Sequence, residues 1–237
     1  MHGRDATAHT NMPRVLALIP AYNAAHLIAP VITEAHAHLR VLVVDDGSAD
    51  DTAATATAAG AAVIRQTPNQ GKGAALRTGF RRALDEGFDA VLTLDADGQH
   101  DPREIPAFLV AFRETGADLI IGAREFERMP AVRRVANTLG RAAFSWAVGR
   151  PIRDNQSGYR LIARRLIEAT LASAEAGFEF EVEMIVTCIE RGFALGWVPI
   201  RTIYAGEGSH IKPLQHFRNF LRVVLQTRRR MRRRRRS

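Results

Sequence analysis

Ala90-Val91-Leu92-Thr93-Leu94-Asp95-Ala96-Asp97-Gly98-Gln99-His100-Asp101-Pro102 joins an unbroken apolar run to a group of carboxylates. A short apolar run bounded by turn formers reads as a strand buried on both faces, the kind that parallel sheets use. Asp89 to Leu94 is that strand. Open α/β sheets bind ligands at the carboxyl ends of their strands, and this end delivers Asp95 and Asp97 one residue apart. Hard divalent cations take oxygen ligands, and Mg²⁺ is commonly held by one or two carboxylates together with substrate phosphates. The pair therefore reads as a site for a divalent metal and a diphosphate. The stretch also reads as an Asx-rich turn, with Asp101 capping the next helix and Pro102 at its first position.

Outward from this strand, short apolar runs alternate with helical stretches, which predicts an α/β domain with a mainly parallel sheet covered by helices. Strands are expected at Val15 to Pro20, Arg40 to Val44, Ala61 to Arg65 and Asp118 to Gly122. Helices are expected over Ala24 to His38, from an Asp50 cap to Gly60, from the Asn69 to Gly73 loop to Glu86, and over Pro102 to Thr115. Beyond Gly122 the pattern loosens: Ala131 to Val148 and Phe178 to Arg191 read as helices, and Ser157 to Ile162 and Leu195 to Tyr204 as extended chain. Residues 1–12 are polar and read as a disordered start, 13–213 as the folded domain, and 214–237 as an amphipathic helix with an arginine-rich end.

Other strand ends carry Tyr22-Asn23 and Asp45-Asp46-Gly47-Ser48. In a parallel sheet these share an edge with Asp95 and Asp97, where a carboxylate can accept hydrogen bonds from a base or ribose; Asp, Gly and Ser also favour turns for local reasons. Gly71-Lys72-Gly73 satisfies neither a Walker A loop nor a dinucleotide fingerprint. It still offers an anion backbone N–H groups, a helix N-terminus and a lysine.

Six blocks in order resemble the family 2 glycosyltransferases with the GT-A fold, over roughly residues 14 to 215. Ile19-Pro20-Ala21-Tyr22-Asn23, Val43 to Ser48, Asn69 to Gly73 and Leu94 to His100 resemble the general family. Asp154-Asn155-Gln156-Ser157-Gly158-Tyr159-Arg160 and Phe178 to Glu183 resemble its dolichyl- and polyprenyl-phosphate mannosyl/glucosyltransferase branch. The resemblance implies that Pro20, Tyr22 and Asp46 line a nucleoside pocket, with Lys72 beside the donor. It implies that Asp95, Asp97 and Gln99 hold Mg²⁺ or Mn²⁺ and the donor diphosphate. Arg124 and Arg160 become candidates for phosphate oxygens, a role suited to the bidentate guanidinium. Ser157 and Gly158 would shape the acceptor side. The branch commonly has a glutamate after Tyr-Asn, where this chain has Ala24, and a Ser-Lys where this chain reads Ser209-His210-Ile211-Lys212.

Composition agrees. The 237 residues suffice for one large α/β domain, and the hydrophobic fraction of 46% is that of a globular chain. Cys188, the single cysteine, excludes an internal disulfide, fits a reducing compartment, and reads as a buried inert thiol. No apolar run reaches the length of a membrane span, and the first dozen residues lack the apolar core of a signal peptide. Arg228 to Arg230 and Arg232 to Arg236 carry as much charge as the whole net +8, so the rest of the chain is neutral. Leu214, Phe217, Leu221, Val224 and Leu225 form one helical stripe ahead of them. A basic end beside an amphipathic helix suits an anionic membrane surface; the segment also reads as a helix packed on the body with a disordered tail, and with no basic face on the body, nucleic acid is not expected.

The expectation is an inverting, metal-dependent transfer of a hexose from a GDP- or UDP-sugar to a lipid-linked phosphate, by a cytoplasmic enzyme peripheral to the inner face of the membrane. Three alternatives stand beside it. A sugar or glycolipid hydroxyl as acceptor would need a carboxylate base, for which Asp154 is the candidate. A nucleotidyltransferase would need an early glycine-rich, Arg/Lys-bearing loop, which is absent. A non-catalytic membrane- or nucleic-acid-binding module would show no metal-dependent turnover of a sugar nucleotide.

Overall fold

The computed structural model describes residues 12–124, 131–172, 179–201 and 213–234. Seven strands form one mixed sheet: β1 (Val15–Ala21), β2 (Arg40–Asp45), β3 (Ala62–Arg65), β4 (Ala90–Thr93), β5 (Leu119–Arg124), β6 (Arg160–Ala163) and β7 (Leu195–Ile200), in the order β3-β2-β1-β4-β6-β5-β7. Eight α-helices lie in the described residues: α1 (Ile28–His36), α2 (Thr52–Ala58), α3 (Lys72–Asp85), α4 (Ile105–Thr115), α5 (Ala131–Val148), α6 (Arg164–Leu171), α7 (Glu179–Glu190) and α8 (Pro213–Arg234).

Strand alternation sorts side chains into two cores. Ala17 and Ile19 of β1 and Val41 and Val43 of β2 pack on one face with Ile28 and Ile32 of α1 and Phe108 of α4. Leu16, Leu18, Leu42 and Val44 point to the other face, against Leu76 and Phe80 of α3, Phe144 of α5, Leu166 of α6 and Phe180 and Ile185 of α7. Full burial of such a side chain stabilises by roughly 1.5–3 kcal/mol, so the two-sided sheet supplies the main folding force. Helix α3 comes so close to β1 that a Cβ on Gly79 would lie 2.3 Å from Leu18 Cδ1.

The mainly parallel sheet is borne out, with one exception that the apolar pattern does not encode. β6 runs antiparallel to β4 and β5, while β1–β2, β2–β3, β1–β4 and β5–β7 are parallel. Helix α6 was not expected. It follows β6 without a loop, its N-cap being Ala163, so no turn former marks its start.

Helix α8 continues through the arginine run to Arg234. Val224, Thr227 and Met231, at helical spacing, are buried, and Leu225 is 50% exposed; the expected stripe is thus corrected at Leu225, which turns outward. The side chains of Leu214, Phe217, Phe220 and Leu221 fall outside what is described, as do Tyr204, Ser209, His210, Ile211, Lys212 and Phe178. Among the described residues no helix is long and apolar enough to cross a membrane.

Candidate active site

Because β1, β2 and β4 are parallel, their carboxyl ends share one edge, and the chain reverses its sheet order between β1 and β4. Such a switch point opens a crevice for ligands. Antiparallel β6 begins at the same edge, where Arg160 lies opposite Thr93 and Ile121. Residues 154–159 therefore enter the crevice, as does Arg124 at the end of β5. One edge thus receives Tyr22, Asp46, Lys72, Asp95, Asp97, Arg124 and Asp154.

At its centre Lys72 Nζ lies 2.6 Å from Asp95 Oδ1 and 3.1 Å from Glu181 Oε1. Gly158 makes room for this group: a Cβ there would lie 2.9 Å from Asp95 Oδ2 and 3.1 Å from Lys72 Nζ. Thr93 Oγ1 donates to the Gly158 carbonyl at 2.7 Å, which fixes that backbone. Burial drives the Lys72 pKa down, but Asp95 and Glu181 outweigh it and hold the ammonium above its ordinary value. Burial likewise pushes Asp95 up, and Lys72, His100 and Arg160 reverse this and bring it to about 2.

Asp97 behaves differently. Burial and the neighbouring Asp95 raise its pKa, against a hydrogen bond from the Gln99 N–H, which lies 3.0 Å from Asp97 Oδ1. The exposed Gln99 side chain stands beside it. His100 is buried and stacks 5.1 Å from Tyr159. Burial depresses its pKa, in keeping with Nδ1 accepting the Asp95 N–H at 3.1 Å. Through that bond the ring fixes the start of the acidic turn. Asp101 caps as expected, its Oδ1 accepting the Arg103 N–H at 3.0 Å.

Asp46 is buried and its carboxylate is occupied by the Lys72 loop. Oδ1 accepts from Gln66 Nε2 at 2.6 Å and the Gln70 N–H at 2.9 Å, and Oδ2 from the Gly71 N–H at 2.7 Å. The Tyr22 turn is tied to the end of β2: the Asn23 N–H donates to Ser48 Oγ at 2.9 Å, and Asn23 Oδ1 accepts the Ala49 N–H at 2.8 Å. Pro20 is buried in β1, and Tyr22 is 54% exposed over the crevice edge.

Arg124 and Asp154 meet as a bidentate pair, Nε to Oδ2 at 2.6 Å and Nη2 to Oδ1 at 3.0 Å. Asp154 Oδ1 also accepts the Gln156 and Ser157 N–H groups at 2.9 and 3.2 Å. Arg160 is fully buried and donates to the carbonyls of Ser157 at 2.7 Å, Asn155 at 3.2 Å and Glu181. These bonds brace the 155–157 loop and the start of α7.

Of the three alternating glutamates of α7 the sequence favours Glu181, and only weakly; the structure brings it to Lys72. Its two-residue offset from Glu183 puts the two on different sides of α7. Glu181 faces Lys72, whereas Glu183 receives Arg230 of α8 at 2.7 and 2.9 Å. Cys188 is buried, and burial pushes its thiol up to about 12, so it is inert as expected.

The oxygen chemistry fits a divalent cation. Among the described residues no cluster of three or more acidic, His or Cys side chains has metal-holding geometry. A pair of carboxylates is nevertheless what a cation shared with a diphosphate requires. Lys72 pairs with Asp95, and Asp97, raised by burial and by Asp95, is a second carboxylate beside them.

The sequence model for Glycosyl transferase family 2 matches residues 17–171. The chain belongs to glycosyltransferase family 2. This glycosyltransferase is 33% identical over 218 residues to the polyprenol monophosphomannose synthase of Mycolicibacterium smegmatis, covering 84% of this chain and 80% of that one. It is 34% identical over 205 residues to the undecaprenyl-phosphate mannosyltransferase of Micrococcus luteus, covering 79% and 82%. The expected polyprenyl-phosphate branch is thus the one it resembles. Glucosyl-3-phosphoglycerate synthase of Mycobacterium tuberculosis, solved with Mn²⁺, UDP-glucose and phosphoglyceric acid, aligns with a TM-score of 0.72 at 23% identity. That alignment covers 91% of this chain and 79% of that one and shows the GT-A fold.

Proposed function

We propose that this family 2 enzyme moves a hexose from a nucleotide sugar to a polyprenyl phosphate, with inversion at the anomeric carbon. The observation that carries the reading is Asp95 and Asp97 beside Lys72 at the sheet's switch point; the names of the two relatives supply the acceptor class. Asp95 and Asp97, with Gln99 alongside, would hold Mg²⁺ or Mn²⁺. That cation would neutralise the diphosphate as it leaves. Lys72 adds a positive charge on the same side, at the N-terminus of α3.

Tyr22 and the Asp46-anchored loop bound the nucleoside side. An acceptor phosphate oxygen forms the new bond to the anomeric carbon as the bond to the donor's diphosphate oxygen breaks. A phosphate acceptor is anionic at neutral pH, so no proton need be removed. The saturation of Asp154 favours this acceptor over a sugar hydroxyl, because a carboxylate held by Arg124 and two N–H groups is poorly disposed as a base. Asp154 instead positions Arg124 toward the acceptor phosphate, and Arg160 braces the loop that lines that side. The exposed Arg229, Arg232 and Arg233 of α8 would draw the enzyme to an anionic membrane surface, where such an acceptor resides.

A thermal-shift panel of GDP- and UDP-sugars with and without Mn²⁺ tests the donor assignment. One base series should stabilise the protein in a metal-dependent way. No stabilisation by any donor would overturn it.

A further inference from the structure

Lys72 has two carboxylate partners, and the reading above takes one of them, Asp95, as a metal ligand. Glu181 is the other. It is buried on α7 with its carboxylate 3.1 Å from Lys72 Nζ. The main chain of Glu181 is fixed as well, its carbonyl accepting from the buried Arg160. Farther along α7, Arg230 of α8 grips Glu183 and also Glu190. Glu181 is thus fixed by elements from three separate parts of the chain, and its carboxylate is spent on the lysine.

We infer that Glu181 is a positioning residue that retains the Lys72 ammonium at the diphosphate site when Asp95 turns to a cation. An ammonium within 3.1 Å of two carboxylates is held between them, and loses its position when both are taken away. Without Glu181, Lys72 keeps Asp95 as its carboxylate partner and competes there with the incoming metal. With Glu181, the lysine is shared, Asp95 can be given up to the cation, and Lys72 remains beside it to meet the donor's phosphates. The inference rests on the assignment of Asp95 to the metal, and its test separates the two.

The test is Mn²⁺ binding, read from the free-Mn²⁺ electron paramagnetic resonance signal in the presence of UDP or GDP. It compares wild type, Glu181→Gln, Lys72→Met and the double variant. Glu181→Gln preserves shape and an acceptor oxygen while removing the charge. It should weaken Mn²⁺ binding about fivefold to tenfold, the range of coupling within one network. In the Lys72→Met background the same substitution should change binding by less than about twofold. Should Glu181→Gln fail to fold, Glu181→Asp, which retains the charge but shortens its reach, replaces it in the same cycle with the same expectation. An equal loss in both backgrounds, or no loss in either, would overturn the inference and leave the metal site standing. Wild type that binds no Mn²⁺ with either nucleotide would overturn the metal assignment and the inference together.

Discussion

Lys72 Nζ lies 2.6 Å from Asp95 Oδ1, and the two groups meet against the bare Cα of Gly158. A methyl group at that position would sit 2.9 Å from Asp95 Oδ2 and 3.1 Å from Lys72 Nζ. Both neighbours are ends of side chains, so they can yield without unfolding the protein, but they yield at the site. Gly158→Ala should therefore cost about tenfold to a hundredfold in kcat/KM, the usual penalty for misplacing a reacting group by a fraction of an ångström to an ångström. Its stability should change by no more than ~1 kcal/mol in denaturant unfolding. Wild-type kinetics in a folded Gly158→Ala protein would remove the Lys72–Asp95 pair from the reaction.

Asp46 acts through the loop it holds. Its carboxylate takes the Gln70 and Gly71 N–H groups and Gln66 Nε2, so Asp46→Ala leaves part-buried donors to water and loosens the approach to Lys72. A hydrogen bond exchanged for water in this way costs about 0.5–1.5 kcal/mol. The donor KM should rise more than kcat falls, since the proposed function puts the residue on the nucleoside side, away from the breaking bond. A large loss in kcat at unchanged KM would place Asp46 at the reacting centre instead.

Arg228, Arg229, Arg230, Arg232 and Arg233 of α8 divide into two groups. Arg228 stacks 4.8 Å from the Trp146 ring and donates to its carbonyl at 3.0 Å, and Arg230 grips Glu183 and Glu190. Arg229, Arg232 and Arg233 are exposed. Replacing these three with Gln should weaken binding to anionic vesicles by about 1 kcal/mol per charge at low salt, fading as salt shortens the Debye length, with unfolding unchanged. Arg230→Ala should instead lower stability by about 1 kcal/mol, the size of a partly exposed pair, with vesicle binding little affected. Full vesicle binding by the triple variant at low salt would show that these arginines are not the anchor.

The strand-end blocks were legible because burial and chemistry coincide there: an apolar run must be a strand, and its polar end must lie at the sheet edge. Strand direction was less so, since the Leu161-Ile162-Ala163 run of β6 is as apolar as the parallel strands and only the tertiary pairing reveals it as antiparallel. Arg160 shows another limit. An arginine in a ligand-binding block looks like a phosphate contact, yet its donors go to backbone carbonyls that no local pattern encodes. Glu181 and Glu183 were hard to place for the same reason, their partners Lys72 and Arg230 being remote in sequence. The arginine run read as a tail because its charge suggests solvent, whereas Val224, Thr227 and Met231 carry a buried helical face through it.

The most direct measurement of the central claim is transfer of labelled hexose from a nucleotide sugar to a polyprenyl phosphate, using protein stripped with EDTA and then resupplied with Mn²⁺. Wild type should be inactive when stripped and restored by the metal. Asp97→Asn should remain folded but stay at least about a hundredfold down even with Mn²⁺, since the metal's stabilisation of developing charge is worth several kcal/mol. Stripped wild type retaining activity within about threefold of the metal-supplied enzyme, or Asp97→Asn transferring as well as wild type, would contradict the account.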